Sequence, residues 1–465
     1  MKIQFCGGAQ TVTGSQHLFS VGGKSFLLDC GLFQGRRQET YDKNLNFSYM
    51  PANVSAVVLS HAHMDHSGNL PNLVKQGFRG PIYATPATVE LCRIMLKDSA
   101  FLQLHDLEWV NKIRKKNNLP PARPLYTVED AEATFQYFVE KKYEEPFSPV
   151  PGVTATFSDA GHILGSAGIL LEINDRGRQL RVGFSGDIGR AHMPITRDPV
   201  VLDDLDALLI ESTYGSRTHG SFDDVEEALC KIIRETVSAG GKLIIPAFAI
   251  GRTQIVVYLL HKLFNQNRIP EVPIFVDSPL SCSATEIYRG HPEILDRETD
   301  RVFLKQHEDP FAFRRLTYVR EADESKKLND ITFPHIIISA SGMCEGGRVL
   351  HHLRNNIDKP STVVLFIGYA AKHTLARKIM DGEKDIKIFG EEHHVKCRIR
   401  VMDNFSAHAD RRDILDYIKA TPPSKLKKIF LVHGEPEEVI SLVDAIRSQG
   451  YQNVQYPELN MTAEL

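Results

Sequence analysis

His61-Ala62-His63-Met64-Asp65-His66 is the stretch of this sequence that says most about its fold. It follows the apolar run 54–59 and precedes apolar residues at helical spacing, which predicts a loop between a strand and a helix. Imidazole and carboxylate groups together suit zinc or a similar first-row ion. Because side chains alternate in direction along an extended loop, His61 and His63 are placed to serve one ion while Asp65 and His66 serve another.

The alternative interpretation is that this stretch arose by chance or is a patch of histidines on the surface. The chain has 19 histidines among 465 residues. Chance should place three histidines and one aspartate at this spacing in well under roughly one in a hundred such chains. The motif therefore indicates a metal centre.

Length and composition describe a multidomain globular chain. A length of 465 residues predicts two or three domains, and 42% hydrophobic with 24% charged residues is typical of soluble proteins. The first residues, 1–7, lack a signal-peptide pattern, and no apolar run is long enough to span a bilayer. Seven cysteines without C-x-x-C spacing predict reduced thiols and a cytoplasmic location. The net charge of −3 does not by itself indicate a nucleic-acid binder.

The predicted secondary structure changes along the chain. The first 60 residues predict short strands, with a hairpin turn at Gly22-Gly23, and 86–118 predicts a helix. Strands are predicted again at 153–157, 169–173, 180–185 and 207–210. The middle section predicts three strand–loop–helix units, which favours a parallel sheet with crossover helices; their ranges are 243–246 with 253–264, 335–339 with 349–356, and 362–367 with 374–380. A last strand is predicted at 428–432, followed by a helix at 439–448.

The histidine motif resembles the signature of the metallo-β-lactamase superfamily, and further segments match the order of that family's motifs. The family's earlier acidic position matches Asp29 in Phe26-Leu27-Leu28-Asp29-Cys30-Gly31. Its third ligand position matches His162 in Ala160-Gly161-His162-Ile163-Leu164-Gly165-Ser166. Its metal-bridging carboxylate matches Asp187 in Phe184-Ser185-Gly186-Asp187-Ile188-Gly189.

The resemblance narrows to the β-CASP group, nucleases in which an extra domain is inserted into this fold. Its three special motifs match Glu211 in Glu211-Ser212-Thr213-Tyr214-Gly215, His408 in Phe405-Ser406-Ala407-His408-Ala409-Asp410, and His433 in Leu431-Val432-His433-Gly434-Glu435. RNA-processing members of the group carry histidine at the third motif, where DNA-repair members tend to carry valine. The resemblance therefore implies RNA as the partner and substrate.

The fold implied by the resemblance is an α/β metallo-β-lactamase αββα sandwich with an inserted β-CASP α/β domain built on a parallel sheet. The expected partition is residues 1–212 for the first part of the sandwich domain, 213–400 for the insertion and 401–465 for the C-terminal return. No membrane contact is expected. Self-association as a homodimer is left open.

The resemblance also implies two Zn²⁺ per chain that share a hydroxide nucleophile and clamp the phosphoryl oxygens. One ion is assigned to His61, His63, His162 and Asp187. The other is assigned to Asp65, His66, Asp187 and His433. The residues given catalytic roles are Asp29, which orients a ligand, Asp65, and the pair Glu211 and His408, with His408 as general acid. A purely structural link between Glu211 and His408 is the alternative.

Glycine-rich turns in the middle section precede predicted helices, whose free backbone N–H groups favour anions. They predict substrate binding by Arg252, Ser341, Gly342 and Arg348, although tight turns without ligands would look similar. The expected activity is endonucleolytic cutting of RNA, with 5′-exonucleolytic cutting as a further mode. Two other functions remain: hydrolysis of small esters or thioesters by the same fold, and a non-catalytic RNA-processing scaffold.

Overall fold

The structure, a computed structural model, describes residues 1–465 except 36, 176, 221, 369 and 372. The chain divides into two compact units. The first unit comprises residues 1–191, 198–218 and 408–465, and the second comprises residues 192–197 and 219–407. The domain boundaries expected at 212/213 and 400/401 stay a prediction.

The first unit is built on two sheets. Its strands are β1 (Lys2–Gly7), β2 (Gln16–Val21), β3 (Lys24–Leu28), β4 (Val54–Val58), β5 (Ile82–Ala84), β6 (Phe138–Glu140), β7 (Val153–Asp159), β8 (Ala167–Asp175), β9 (Arg178–Phe184), β10 (Ala207–Glu211), β19 (Lys428–Val432), β20 (Val454–Gln455) and β21 (Thr462–Glu464). Over the described residues, one sheet has the order β21-β1-β2-β3-β4-β5-β6 and the other β20-β19-β10-β9-β8-β7. Gly22 and Gly23 turn the chain between β2 and β3 with φ of 56° and 79°, the left-handed pair that a tight hairpin requires.

The two sheets pack face to face. Apolar residues of both, such as Phe19 and Phe26 from one sheet and Phe157, Phe184 and Leu209 from the other, form one buried core. Helices cover the outer faces: α1 (Arg37–Leu45), α2 (Met64–Ser67), α3 (Leu70–Lys75), α4 (Pro86–Lys116), α5 (Val128–Thr134), α13 (Arg411–Lys419) and α14 (Pro436–Ser448). The helices α13 and α14 share a second buried core with the outer face of the β10–β19 sheet. The predicted αββα sandwich is confirmed.

The second unit is built on a parallel sheet. Its strands are β11 (Lys242–Pro246), β12 (Ile274–Val276), β13 (Leu316–Tyr318), β14 (His335–Ser339), β15 (Val363–Ile367) and β18 (Arg398–Met402), with a separate hairpin of β16 (Asp385–Ile388) and β17 (Glu391–His394). The helices are α6 (Asp223–Ser238), α7 (Arg252–Asn265), α8 (Pro279–Gly290), α9 (Arg297–Val302), α10 (Ala322–Leu328), α11 (Val349–Asn356) and α12 (Leu375–Met380). The sheet order is β13-β12-β14-β11-β15-β18, and every strand pairing recorded within it is parallel. The parallel sheet predicted from the three strand–loop–helix units is confirmed.

One local prediction was wrong. The histidine motif is not an extended loop throughout, because Met64–Ser67 forms the short helix α2. Asp65 and His66 therefore project from one helical turn, whereas His61 and His63 lie on the loop before it.

Across the described part of the chain, no helix combines the length and the apolar character needed to cross a membrane.

Candidate metal centre

The predicted site residues of the first unit lie where strands end. Asp29 follows β3, His61 lies beyond β4, Asp187 follows β9, Glu211 is the last residue of β10, and His433 follows β19. The strands β3 and β4 are parallel neighbours, and so are β9, β10 and β19. Since parallel strands bring their carboxyl ends to the same edge, each sheet delivers several of these side chains to one place.

Two more predicted residues arrive on loops. His162 lies between β7 and β8, and its backbone N–H is held by the Ser166 hydroxyl at 3.0 Å. His408 is paired with Gly189 in an isolated antiparallel bridge, and the next residue donates its N–H to the Ile188 carbonyl at 2.8 Å. The segment after Asp187 therefore positions His408 directly.

A first cluster consists of His61, His63, His162 and Asp187, whose candidate ligand atoms all lie within 4.8 Å of one another. The His63 Nδ1 atom lies 3.1 Å from His61 Nε2 and 3.2 Å from His162 Nε2. Asp187 Oδ2 lies 3.5 Å from His61 Nε2 and 3.6 Å from His162 Nε2. Three imidazole nitrogens and a carboxylate oxygen thus converge on one small volume.

A second cluster consists of Asp65, His66 and His433. His66 Nε2 and His433 Nε2 are 3.3 Å apart, and Asp65 Oδ2 lies 3.6 Å from His433 Nε2. The other oxygen of Asp187, Oδ1, lies 3.2 Å from His66 Nε2 and 3.4 Å from His433 Nδ1. Each oxygen of the Asp187 carboxylate therefore faces one cluster.

The donor set fits cations. Burial lowers the pKa of His61 and His162 well below the ordinary value and that of His63 to about 4, so these imidazoles are neutral at pH 7 and can act as ligands. Asp187 is 1% exposed, and among the described residues no donor is aligned for a hydrogen bond with its Oδ1 atom. A buried carboxylate beside three neutral imidazoles is the environment that zinc or a related ion prefers.

Asp29 orients the second cluster rather than joining it. It is fully buried and accepts hydrogen bonds from the Ser60 backbone N–H at 2.7 Å and the Ser60 hydroxyl at 2.9 Å. Its Oδ2 also lies 2.7 Å from His66 Nδ1. Burial alone would lower the pKa of His66, but Asp187 and Asp29 outweigh it and raise that pKa well above its ordinary value. The contact with Nδ1 leaves Nε2 of His66 directed at the cluster.

Glu211 and His408 form a buried pair beside Asp187. His408 Nδ1 lies 3.1 Å from Glu211 Oε2 and 3.8 Å from Asp187 Oδ2. Glu211 is fully buried and also accepts the Ile188 backbone N–H at 2.6 Å. The carboxylate therefore holds the Nδ1 edge of the imidazole and fixes the orientation of the ring.

Sequence reasoning missed the hydroxyl groups around the ligands. Ser60 binds Asp29, and Thr213 Oγ1 donates to Glu211 Oε2 at 2.5 Å while lying 3.2 Å from His433 Nδ1. Serine and threonine are common in such loops. The only signal in the sequence was that Ser60 immediately precedes His61 and that Thr213 lies two residues after Glu211.

The predicted substrate residues belong to the second unit and are not part of either cluster. Arg252 is the first residue of α7, and Ser341 and Gly342 lie in the loop after β14. Arg348 Nη1 lies 2.7 Å from the fully buried carboxylate of Asp277, and its guanidinium also donates to the carbonyls of Val319 and Arg320. These contacts favour a structural role for Arg348 over a phosphate contact, because both of its terminal nitrogens already donate to protein acceptors.

Three family models match the chain in succession. Residues 12–204 match "Metallo-beta-lactamase superfamily", residues 253–379 match "Beta-Casp domain", and residues 392–457 match "Zn-dependent metallo-hydrolase RNA specificity domain". These matches indicate metal dependence.

Curated relatives match nearly the whole chain. Ribonuclease TTHA0252 of Thermus thermophilus is 33% identical over 97% of this chain and 97% of its own length. Transcription termination factor FttA of Methanosarcina mazei is 30% identical over 96% of this chain and 69% of its own length. A crystal structure of a protein of unknown function from Enterococcus faecalis V583 covers 100% of this chain and 99% of that chain with a TM-score of 0.55, a likeness of fold alone at 12% identity. The chain therefore belongs to the metallo-β-lactamase superfamily and, within it, to the metal-dependent hydrolases that carry a Beta-Casp domain.

Proposed function

We propose that this protein is a zinc-dependent ribonuclease that hydrolyses RNA phosphodiester bonds in RNA processing or decay. The observation that carries the proposal is the Asp187 carboxylate, whose two oxygens face two separate imidazole clusters beside the Glu211–His408 pair. The name of the Thermus relative, a ribonuclease, and that of the family model over residues 392–457 support RNA as the substrate.

Two zinc ions are the proposed cofactors. His61, His63, His162 and Asp187 would hold one, and Asp65, His66, His433 and the same Asp187 would hold the other. The chemistry that such ions supply is a water nucleophile at neutral pH and neutralisation of phosphoryl charge.

The residues of the chain position that chemistry. Asp29 fixes the ring of His66, so that Nε2 stays directed at the cluster. His408 presents Nδ1 to Glu211, which leaves Nε2 as the atom that donates a proton to the departing oxygen. The Glu211 carboxylate stabilises the protonated imidazole, as a general acid requires.

Phosphate groups of the RNA would be bound by Arg252, Ser341 and Gly342 of the second unit. Arg252 is the first residue of α7, and the loop that holds Ser341 and Gly342 leads into α11. Self-association as a homodimer and a cytoplasmic location stay predictions.

The test is incubation of the zinc-loaded protein with an RNA labelled separately at its 5′ and 3′ ends, with fragment lengths followed over time. Internal fragments from both labels indicate endonucleolytic cutting, and early release of mononucleotides from the 5′ label indicates 5′-exonucleolytic cutting. The Asp187→Asn variant is the control for contaminating nuclease. Zinc-replete protein that leaves every RNA intact contradicts the proposal, and turnover of lactones or thioesters in the same preparation would identify a small-molecule hydrolase. A preparation that binds no zinc would point to a scaffold.

A further inference from the structure

The sheet of the second unit contains a point at which its connections change direction. The strands β11 and β14 are adjacent and parallel, paired from Lys242 with His335 to Pro246 with Ser339. After β11 the chain passes through α7 to β12, beyond β14, whereas after β14 it passes through α11 to β15, beyond β11. Because crossovers are right-handed, connections that run in opposite directions place their helices on opposite faces of the sheet.

Such a point leaves a crevice at the carboxyl edge of the sheet. The loops after β11 and β14 diverge there, one towards each face, and open parallel sheets bind their ligands in this position. The crevice lies between the loops 247–251 and 340–348. The second of these holds the proposed phosphate contacts Ser341 and Gly342.

Phe248 lies in the first loop and is 39% exposed, although its backbone is held firmly. The N–H of the preceding residue donates to the Ser339 carbonyl at 3.0 Å. The carbonyl of Phe248 accepts the backbone N–H of Thr253 at 3.2 Å and its hydroxyl at 2.8 Å. The exposure of the ring is therefore not a consequence of a loosely held loop.

Gly342 in the opposite loop allows this ring to lie across the crevice. A Cβ atom at position 342 would lie 3.2 Å from Cδ2 and Cε2 of Phe248, closer than side chains normally approach. The ring of Phe248 thus contacts the backbone of the second loop directly. The ring belongs to the loop that leads into α7 and faces the loop that leads into α11.

We propose that Phe248 is a binding residue on which one base of the RNA substrate stacks. A nucleotide has an aromatic base, for which the exposed ring of Phe248 offers a surface, and an anionic phosphate, for which Arg252, Ser341 and Gly342 are the proposed contacts. Stacking on an aromatic ring tolerates every base, so this contact would add affinity and set register without selecting a sequence. The inference rests on the proposed function, since it names how that RNA is held.

The test uses a nuclease-resistant 2′-O-methyl phosphorothioate oligonucleotide, with a single abasic position moved along it, and the zinc-loaded protein. Wild-type protein should lose affinity roughly 5- to 150-fold at one abasic position, the range that aromatic stacking gives. Phe248→Leu should bind more weakly and be insensitive to a missing base at that position. Phe248→Trp should keep the sensitivity, because it keeps a ring.

Phe333→Leu is the matched control. Phe333 is 53% exposed in the same unit but precedes β14, at the amino edge of the same sheet. This variant should keep the wild-type abasic profile. The proposal is overturned if Phe248→Leu keeps the sensitivity at every position, or if Phe333→Leu loses as much. If the wild-type protein binds no oligonucleotide and cuts no RNA, the proposed function is contradicted as well. If it binds the oligonucleotide but no abasic position has an effect that depends on Phe248, only this inference is contradicted.

Discussion

The Thr213 hydroxyl donates a hydrogen bond of 2.5 Å to the Glu211 carboxylate. The same hydroxyl lies 3.2 Å from His433 Nδ1 and 3.1 Å from the His433 carbonyl oxygen. His433 Nε2 lies 3.3 Å from His66 Nε2 and 3.6 Å from Asp65 Oδ2. Thr213 therefore links the Glu211–His408 pair to the second cluster.

Replacing Thr213 with valine keeps the shape of the side chain and removes the hydroxyl that contacts both Glu211 and His433. We expect about 10- to 100-fold weaker binding of zinc at the second cluster, the usual effect of losing a group that orients a ligand. Competition against a chelator, followed by elemental analysis, measures this loss. Thr213→Ser should restore binding because it restores the hydroxyl. If the Thr213→Val variant and the wild-type protein hold zinc equally well, the Thr213 side chain contributes only packing.

His408→Ala should keep the metal and lose the reaction. His408 shares a third candidate metal-binding group with Asp187 and Glu211 but belongs to neither cluster assigned to zinc, so the variant should contain as much zinc as wild type. Its rate of RNA hydrolysis should fall about 10²- to 10⁴-fold, the contribution of a positioned acid. Zinc content and single-turnover rates measure the two effects separately. A zinc-poor variant would make His408 a ligand and remove its assignment as acid.

The pH dependence of hydrolysis should depend on Glu211. Burial lowers the pKa of His408, but the charge and hydrogen bond of Glu211, with Asp187 and Asp65, outweigh it and raise that pKa to about 9. An acid with a raised pKa is protonated below that value, so the rate should decline as the pH rises through it. In Glu211→Gln the supporting charge is gone, and the alkaline decline should move to lower pH. If the pH–rate profiles of the two proteins coincide on the alkaline side, Glu211 does not set the pKa of the group that titrates there.

Asp29→Ala should weaken both folding and metal binding. The substitution leaves two Ser60 donors and His66 buried without their acceptor. Breaking a buried charged pair in this way costs about 3–5 kcal/mol in the free energy of unfolding. Urea denaturation with a chelator present measures the folding term alone. Asp416→Ala, at a side chain 60% exposed, is the control and should change stability by less than about 0.5 kcal/mol; an equally small change for Asp29→Ala would contradict the expectation.

Arg348→Met should destabilise the second unit more than it affects RNA affinity. The guanidinium is the partner of the fully buried Asp277, which also accepts from the Ser325 hydroxyl at 2.6 Å and lies 2.6 Å from His352 Nε2. Removing one partner of such a pair costs about 3–5 kcal/mol. Thermal unfolding measures this cost, and titration of the remaining folded protein with RNA at two salt concentrations measures phosphate contact. A stable variant with a reduced salt dependence would restore Arg348 as a substrate contact.

Regular elements with strong local signals could be predicted from the sequence. The predicted ranges 335–339, 349–356 and 428–432 coincide with β14, α11 and β19. The two strands are short apolar runs, and α11 places Val349 and Leu353 at helical spacing. The strands β5, β6, β12 and β13 were not predicted. Each spans three residues, too few for a periodic signal, and is a strand only because a parallel neighbour supplies its hydrogen bonds.

By itself, the sequence predicted the family, the αββα fold and the residues of the two clusters through its resemblance to known motifs, because a motif is a local stretch of the chain that can be matched without the structure. Only the tertiary structure decided how those residues are held. The contacts of Ser60 with Asp29, of Thr213 with Glu211 and His433, and of Arg348 with Asp277 join groups whose separation in the chain ranges from two to 220 residues. In the sequence, a residue with a hydroxyl or a guanidinium group looks the same whether its side chain faces solvent or a buried carboxylate. Its role is set by which acceptor the fold brings within hydrogen-bonding distance.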